Sequence, residues 1–259
     1  MEIIVIVKQV PATESTLTVA DDGARVDLRN AKMVMNPYDE FAVEEALQIK
    51  AKHGGAVTVL TVGGDKAVDV LRTGLAMGAD KAVHVKDPDV AERDGLAIAK
   101  LLAATIKTLE CDLVIAGQRA VDDDGYIVGP AVAELLGVPQ IGMVVAEEIA
   151  DGILRCTRTV EGGTVVVETP LPALFTTQRG LNEPRYASLP GIMKAKKKPV
   201  DVRAVDDLGL DADALAPKAK ILRYTPPPER AAGKMIEGDS AAAKAEELVR
   251  LLHEEAKVI

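Results

Sequence analysis

Four times in the first 140 residues, a short apolar run rich in β-branched residues is followed by a longer segment with helical spacing. This alternation constrains the fold more than any other feature of the chain. The runs are Ile3–Val7, AVTVLTVGG from Ala56, KAVHVKD from Lys81 and CDLVIAG from Cys111. An uninterrupted apolar strand belongs inside a parallel sheet covered on both faces, because a half-exposed strand would alternate polar and apolar residues. Between the runs lie helix signals. In MNPYDEFAVEEALQIKAKHG, Pro37 holds Asn36 extended and Asp39 and Glu40 suit a helix start. Lys50, Lys52 and His53 suit its end, and Gly54 stops it. VDVLRTGLAMGAD ends at Gly78, a third helix is predicted over Leu96–Leu109, and a fourth follows Pro130. Short connections of this kind predict an α/β fold, with a mostly parallel sheet and helices on both of its faces, as far as about Pro139. Asp21–Gly23 (DDG) predicts a turn between two short alternating stretches ahead of the first helix.

From Ile149 the rhythm changes. GILRCTRTVEGGTVVVETPLPALFTT predicts an antiparallel hairpin turning at Gly162-Gly163, then a proline-bounded buried strand. Beyond Gly191 the chain is rich in Lys, Pro and Asp, with PPP at Pro226–Pro228, and apolar periodicity returns only over Ala241–Ala256. Two parts are therefore expected: an α/β domain over 1–190, and over 191–259 a polar extended arm ending in a helix. An arm with so little apolar surface makes sense lying on a partner chain.

Composition narrows the function. Hydrophobic residues make up 48% but aromatic ones only 2%, so the core is built from Val, Ile, Leu, Ala and Met, and few rings remain for stacking bases. A net charge of −9 opposes general nucleic-acid binding, which needs a basic surface. Cys111 and Cys156 form no C-x-x-C pair and are expected as packing residues. No apolar run approaches the roughly 20 residues of a membrane helix, so a cytoplasmic protein that is not membrane-embedded is expected.

In an open parallel sheet, ligands bind beyond the carboxyl ends of the strands. Three segments hold such positions: Val7-Lys8, Val62-Gly63-Gly64, and Gly117–Gly129 (GQRAVDDDGYIVG), which leads into a helix. Amides at that helix start suit a phosphate, whereas Asp122, Asp123 and Asp124 oppose one unless they point away or accept hydrogen bonds. The same pattern also describes an acidic surface turn with a helix cap. Neither a P-loop nor a strand-linked G-x-G-x-x-G is present. His53, His84 and His253 stand beside no nucleophile motif, so no catalytic residue is assigned, and no metal site either. LNEPRYASLPGIMKAKKKP combines a proline-flanked loop, the apolar residues Leu189, Ile192 and Met193, and the cluster Lys194, Lys196, Lys197 and Lys198. It reads as a docking loop, anchored by leucine and steered by charge, or as a solvated basic loop.

VKQVP, MNPYDEFAVEEAL, LRTGLAMGAD, GQRAVDDD, VEGG and LNEPRYASLPGIMKAKKKP resemble, in order and over essentially the whole chain, the electron transfer flavoprotein β subunit. The resemblance implies a flavodoxin-like, adenine-nucleotide-binding sheet in a heterodimer whose α subunit holds most of the FAD. It implies a C-terminal arm wrapped on that α subunit, and a buried AMP with a structural role. Carried over, the cofactor site comprises Ile6, Asn36, Pro37, Tyr38, Asp39, Val62, Gly117, Gln118, Ala120, Asp123, Gly125, Tyr126, Ile127 and Val128, with Tyr38 near the flavin. Leu189, with Pro190, Ile192, Met193 and Lys194, would dock on acyl-CoA dehydrogenase-type flavoenzymes, and electrons would leave to a membrane quinone oxidoreductase. Such a subunit carries electrons and is not a catalyst on its own. Tyr126, Ile127 and Val128 replace the family's polar trio at the phosphate, so backbone amides or the partner must supply those contacts. The alternative is a bifurcating, NADH-oxidising relative with a second FAD in place of AMP. Asp122-Asp123-Asp124-Gly125 and the Leu-Pro-Gly-Ile-Met-Lys motif resemble the AMP-binding group instead. A nucleotide-binding regulatory protein of the small stress-protein kind would be stable without a partner, which the arm argues against.

Overall fold

The N-terminal apolar run forms a central strand in the computed structural model of the chain, which describes residues 1–228 and 232–259. In chain order the strands are β1 (Glu2–Ile6), β2 (Gln9–Pro11), β3 (Thr18–Val19), β4 (Val26–Asp27), β5 (Met33–Met35), β6 (Ala56–Gly63), β7 (Lys81–Lys86), β8 (Leu113–Gly117), β9 (Gln140–Ala150), β10 (Ile153–Val160), β11 (Gly163–Pro170), β12 (Ala173–Thr177) and β13 (Asp201–Ala204). The helices are α1 (Pro37–His53), α2 (Val68–Met77), α3 (Gly95–Ile106), α4 (Val128–Leu136), α5 (Leu189–Lys197), α6 (Ala212–Leu215) and α7 (Ala241–Glu254).

Nine strands form one sheet in the order β11-β10-β9-β12-β8-β1-β6-β7-β13, and from β9 to β13 every neighbouring pair is parallel. The alternation read from sequence explains the layering. Ile3, Val5 and Val7 face one side with α1 and α2, while Ile4 and Ile6 face the other with α3 and α4. The chain runs outward from β1 through β6 to β7, then returns through α3 to β8 on the other side of β1. The order of winding reverses between β1 and β8. At the amino edge, Asp112 accepts the Glu2 N–H at 2.8 Å and Asp80 accepts the Val57 N–H at 2.8 Å.

The hairpin turns at Gly162 as expected, and β3 and β4 pair around Asp21–Gly23. Three features differ from the sequence reading. β9 was not anticipated; its first half pairs with β12 in parallel and its second half with β10 antiparallel, so it joins the doubly wound sheet to the hairpin. The segment expected to be a docking loop is a helix, α5, because Ser188 caps it, Pro190 fits its first turn and the small residues Gly191 and Ala195 face inward. Beyond Gly191, β13 adds a strand to β7. By its contacts the chain divides into two units, Met1–Arg223 and Tyr224–Ile259.

Within Tyr224–Ile259 the described residues ahead of α7 form no helix or strand. Ser240 caps α7, its hydroxyl accepting the Ala243 N–H at 3.1 Å, and Arg250 pairs with Glu247 and Glu254. Among the described residues no helix is long and apolar enough to cross a membrane.

Candidate functional site

A cavity of about 300 Å³ opens at the carboxyl ends of β1 and β8, where the winding reverses. Ile6, Val62, Val90, Ile98, Leu102 and Ala116 give it an apolar floor. The last residues of β1 and β8 reach it because parallel strands all end at the same edge.

The polar rim is fixed by the start of α1. Asn36 is 1% exposed, and its amide donates to Asp39 Oδ1 (2.8 Å) and to the Arg119 carbonyl (2.9 Å), while its oxygen accepts the Val121 N–H (3.2 Å). Asp39 in turn accepts the N–H groups of Lys8 (2.7 Å) and Gly117 (3.2 Å). These two side chains staple the ends of β1 and β8 together and hold the loop that follows β8. Burial pushes the Asp39 carboxyl up to about 7 against the Asn36, Lys8 and Gly117 donors, which favour its charge. Gly117 must be glycine here: a Cβ would lie 2.3 Å from Asp39 Oδ1 and 2.8 Å from Tyr38 Cβ.

The acidic triplet is neutralised locally. Lys8 Nζ pairs with Asp122 (2.8 Å) and Asp123 (3.0 Å), and Arg119 pairs with Asp124 (2.6 Å). Burial pushes the Lys8 ammonium down, but Asp122 and Asp123 outweigh it and hold the group above its ordinary range. The Arg119 guanidinium also lies 5.2 Å from the Tyr38 ring centre and 5.5 Å from that of Tyr126, and donates to the Tyr38 hydroxyl at 3.0 Å. Asp124 and Tyr126 have positive φ, 49° and 53°, so the loop is held in a conformation that side chains rarely adopt. The loop runs into α4, whose start carries no side-chain cap and lines the cavity through Val128 and Gly129.

Of the residues carried over for a cofactor, Ile6, Asn36, Asp39, Val62, Gly117, Gln118, Ala120, Asp123, Gly125, Tyr126, Ile127 and Val128 line this one cavity. Pro37 and Tyr38 do not; Pro37 starts α1, and Tyr38 lies at the rim against Arg119. Sequence reasoning missed the α3 side, where Arg93, Asp94 and Gly95 also line the cavity. Asp87, 1% exposed, holds Arg93 Nε at 2.9 Å, and Asp94 caps α3 through the Ala97 N–H. The signal was available: Asp94 ahead of an Ala- and Leu-rich run is a helix start. Gln118 Oε1 is buried without a hydrogen-bond partner among the described residues.

The residues expected to dock a partner lie elsewhere, on α5. Leu189 is 79% exposed, Met193 67% and Ile192 39%, with Pro190 and Lys194 on the same helix. α1 holds the segment leading there: Glu44 binds the Arg185 guanidinium at 2.6 and 2.8 Å, and Glu45 accepts from Asn182 at 2.7 Å. Glu45 also faces Glu147 of β9, which pairs with Lys52 at 3.3 Å, and lies near Cys156. Burial pushes the thiols of Cys111 and Cys156 up to about 12.

The fold and cavity define a doubly wound α/β protein with a ligand-sized cleft at its switch point. Comparison with known proteins carries the assignment further. The electron transfer flavoprotein domain family matches residues 25–208. The electron transfer flavoprotein subunit beta of Bacillus subtilis is 44% identical over 260 aligned positions, covering all of both chains. The Bradyrhizobium diazoefficiens subunit beta is 42% identical and the mitochondrial one of Arabidopsis thaliana 39%, again over all of both chains. The chain belongs to the electron transfer flavoprotein β-subunit family.

Proposed function

We propose that the chain is the β subunit of a simple, non-bifurcating electron transfer flavoprotein, with AMP in the cavity at the β1/β8 switch point. The observation that carries this reading is the size and lining of the cavity. At about 300 Å³ it stands at the small end of ligand sites and suits a mononucleotide better than a flavin dinucleotide. Its apolar floor suits a purine ring. The uncapped start of α4 suits a phosphate through its amides and dipole. Lys8 and Arg119 neutralise the aspartates that would otherwise repel it.

FAD, held mainly by an α subunit, supplies the electron storage. This chain contributes a wall of the flavin site around Tyr38, whose position Arg119 fixes, and the docking surface on α5 for acyl-CoA dehydrogenase-type flavoenzymes. The pair delivers electrons to a quinone oxidoreductase at the membrane, and the subunit itself is cytoplasmic. Electron transfer requires proximity and a tuned flavin, not acid–base residues of this chain, so the subunit is a carrier component and not an independent catalyst.

The test is nucleotide content per αβ heterodimer after mild acid release. One FAD and one AMP are expected. Two FAD without AMP would establish the bifurcating alternative and overturn the reading of the cavity.

A further inference from the structure

α5 has two unlike faces. Leu189, Ile192 and Met193, at helical spacing, form an outward apolar ridge. The inward face is made of small residues: Ala195 is 2% exposed, and a Cβ on Gly191 would meet the Ala76 carbonyl oxygen at 2.6 Å. The helix therefore lies directly on the backbone of α2. A nine-residue helix is too short to persist in water by itself, so its shape depends on attachments at its ends. Ser188 Oγ accepts the Gly191 N–H at 3.1 Å at the start. At the other end Arg72, from α2, donates through one nitrogen to the carbonyls of Ala195 and Lys198, both at 2.6 Å. The last carbonyls of a helix have no partner inside it, and Arg72 supplies one from a neighbouring element. Lys198 Nζ adds a bond to the Ala79 carbonyl at 2.5 Å. Lys194, Lys196 and Lys197 already give this helix end positive charge, so the distinctive contribution of Arg72 is its fixed geometry.

We propose that Arg72 is a positioning residue that holds the Leu189–Ile192–Met193 ridge in its docking shape, with Gly191 allowing the close approach. This rests on the reading of α5 as the docking surface. A ridge ordered in advance spares the encounter the entropy of ordering one helical turn and three side chains, worth about ten-fold in affinity.

The experiment uses the assembled heterodimer with an acyl-CoA dehydrogenase as electron donor, and compares Arg72→Met, Arg72→Lys, Leu189→Ala and the double variant Arg72→Met/Leu189→Ala. Arg72→Met is expected to raise the apparent KM for the flavoprotein about ten-fold, with kcat within about two-fold and flavin content unchanged. Amide hydrogen exchange should quicken over residues 192–198, and Arg72→Lys should restore part of the KM. Leu189→Ala should cost less in the Arg72→Met background than alone, because the two act through one ridge. If Leu189→Ala raises KM while Arg72→Met leaves it unchanged, the positioning role is wrong and the docking surface stands. If Leu189→Ala is silent, the docking surface falls and this inference with it. If Arg72→Lys matches wild type and the Arg72→Met defect vanishes at high salt, Arg72 acts through charge steering, and the positioning role is again overturned.

Discussion

Gly117→Ala puts one methyl group at the junction on which the cavity depends. The new Cβ would lie 2.3 Å from Asp39 Oδ1, 2.8 Å from Tyr38 Cβ and 3.0 Å from the Tyr38 carbonyl carbon. The first contact is roughly 1 Å inside van der Waals distance. Asp39 cannot retreat freely, since it is 5% exposed and its other oxygen is bound to the Lys8 N–H at 2.7 Å. Relief requires moving the end of β8, which breaks the Gly117 N–H bond and stretches that from Asn36. Overpacking costs about 1–3 kcal/mol, and weakening a hydrogen bond to a carboxyl that is only partly ionised near neutral pH about 1–2. The lower entropy of the unfolded alanine chain offsets about 0.4–1. A net loss of about 3 kcal/mol follows, a melting temperature lower by about 6–12 °C for a chain of this length. The assay is thermal and urea denaturation at fixed protein concentration, with Gly64→Ala as control, because nothing lies within 4 Å of a Cβ there and its φ of −67° admits alanine. The variant should also lose nucleotide on purification with its partner. Stability within about 0.5 kcal/mol of the control would refute the claim that Gly117, Asp39 and Tyr38 form a rigid junction.

Two further outcomes concern the carboxylates of α1. Arg185→Met leaves Glu44 without its guanidinium; because the Arg185 side chain is 49% exposed, the expected loss is about 2 kcal/mol, below that of a fully buried pair. Burial pushes the Glu44 carboxyl up, but Arg185 outweighs it and holds the group below its ordinary 4.5. That stability is present above pH 4.5 and is lost as pH falls through the folded value, so urea midpoints of variant and wild type should converge in acid. Glu45 has the opposite sign: burial above all, with Glu147 adding to it, pushes its carboxyl up to about 7 although Asn182 and Lys52 oppose the shift. Its contribution is present below the unfolded value and is lost as pH rises through about 7. Glu45→Gln keeps an oxygen for Asn182 and can donate to Glu147, so its stability in urea denaturation should match wild type at pH 5 and exceed it at pH 8 by about 1–2 kcal/mol; a wild type that is the more stable at pH 8 would refute the assignment.

The doubly wound half of the fold was legible because its signals are local. Unbroken β-branched runs marked β1, β6, β7 and β8, and charge and glycine placement marked the ends of α1 and α2. β13 was not legible: Asp-Val-Arg-Ala holds one strongly apolar residue, exposed, and becomes a strand only because β7 offers an unpaired edge. α5 read as a loop because its apolar residues point outward and its inward face is glycine and alanine, the reverse of the pattern that marks a surface helix. At the site, the loop after β8 was visible as a position but not as a charge-balanced object. Lys8 is more than a hundred residues from Asp122, and Arg119 meets Tyr38 and Tyr126 through folding alone. The α3 wall escaped notice because Val90, Ile98 and Leu102 are indistinguishable in sequence from core residues.

The aspartates at the amino edge bear on how this sheet finds its alignment. β1 is apolar on both faces, so sliding it two residues along a neighbour keeps every side chain on its own side and costs little burial. Parallel neighbours also lack the tight turn that aligns a hairpin. Asp112, just ahead of β8, and Asp80, just ahead of β7, each close the first rung of an adjoining ladder by accepting the N–H of Glu2 or Val57. They work as index marks, since a slipped ladder leaves a carboxylate facing the wrong rung. The two edges of the sheet thus divide the labour, with alignment encoded at the amino ends and the cleft built at the carboxyl ends.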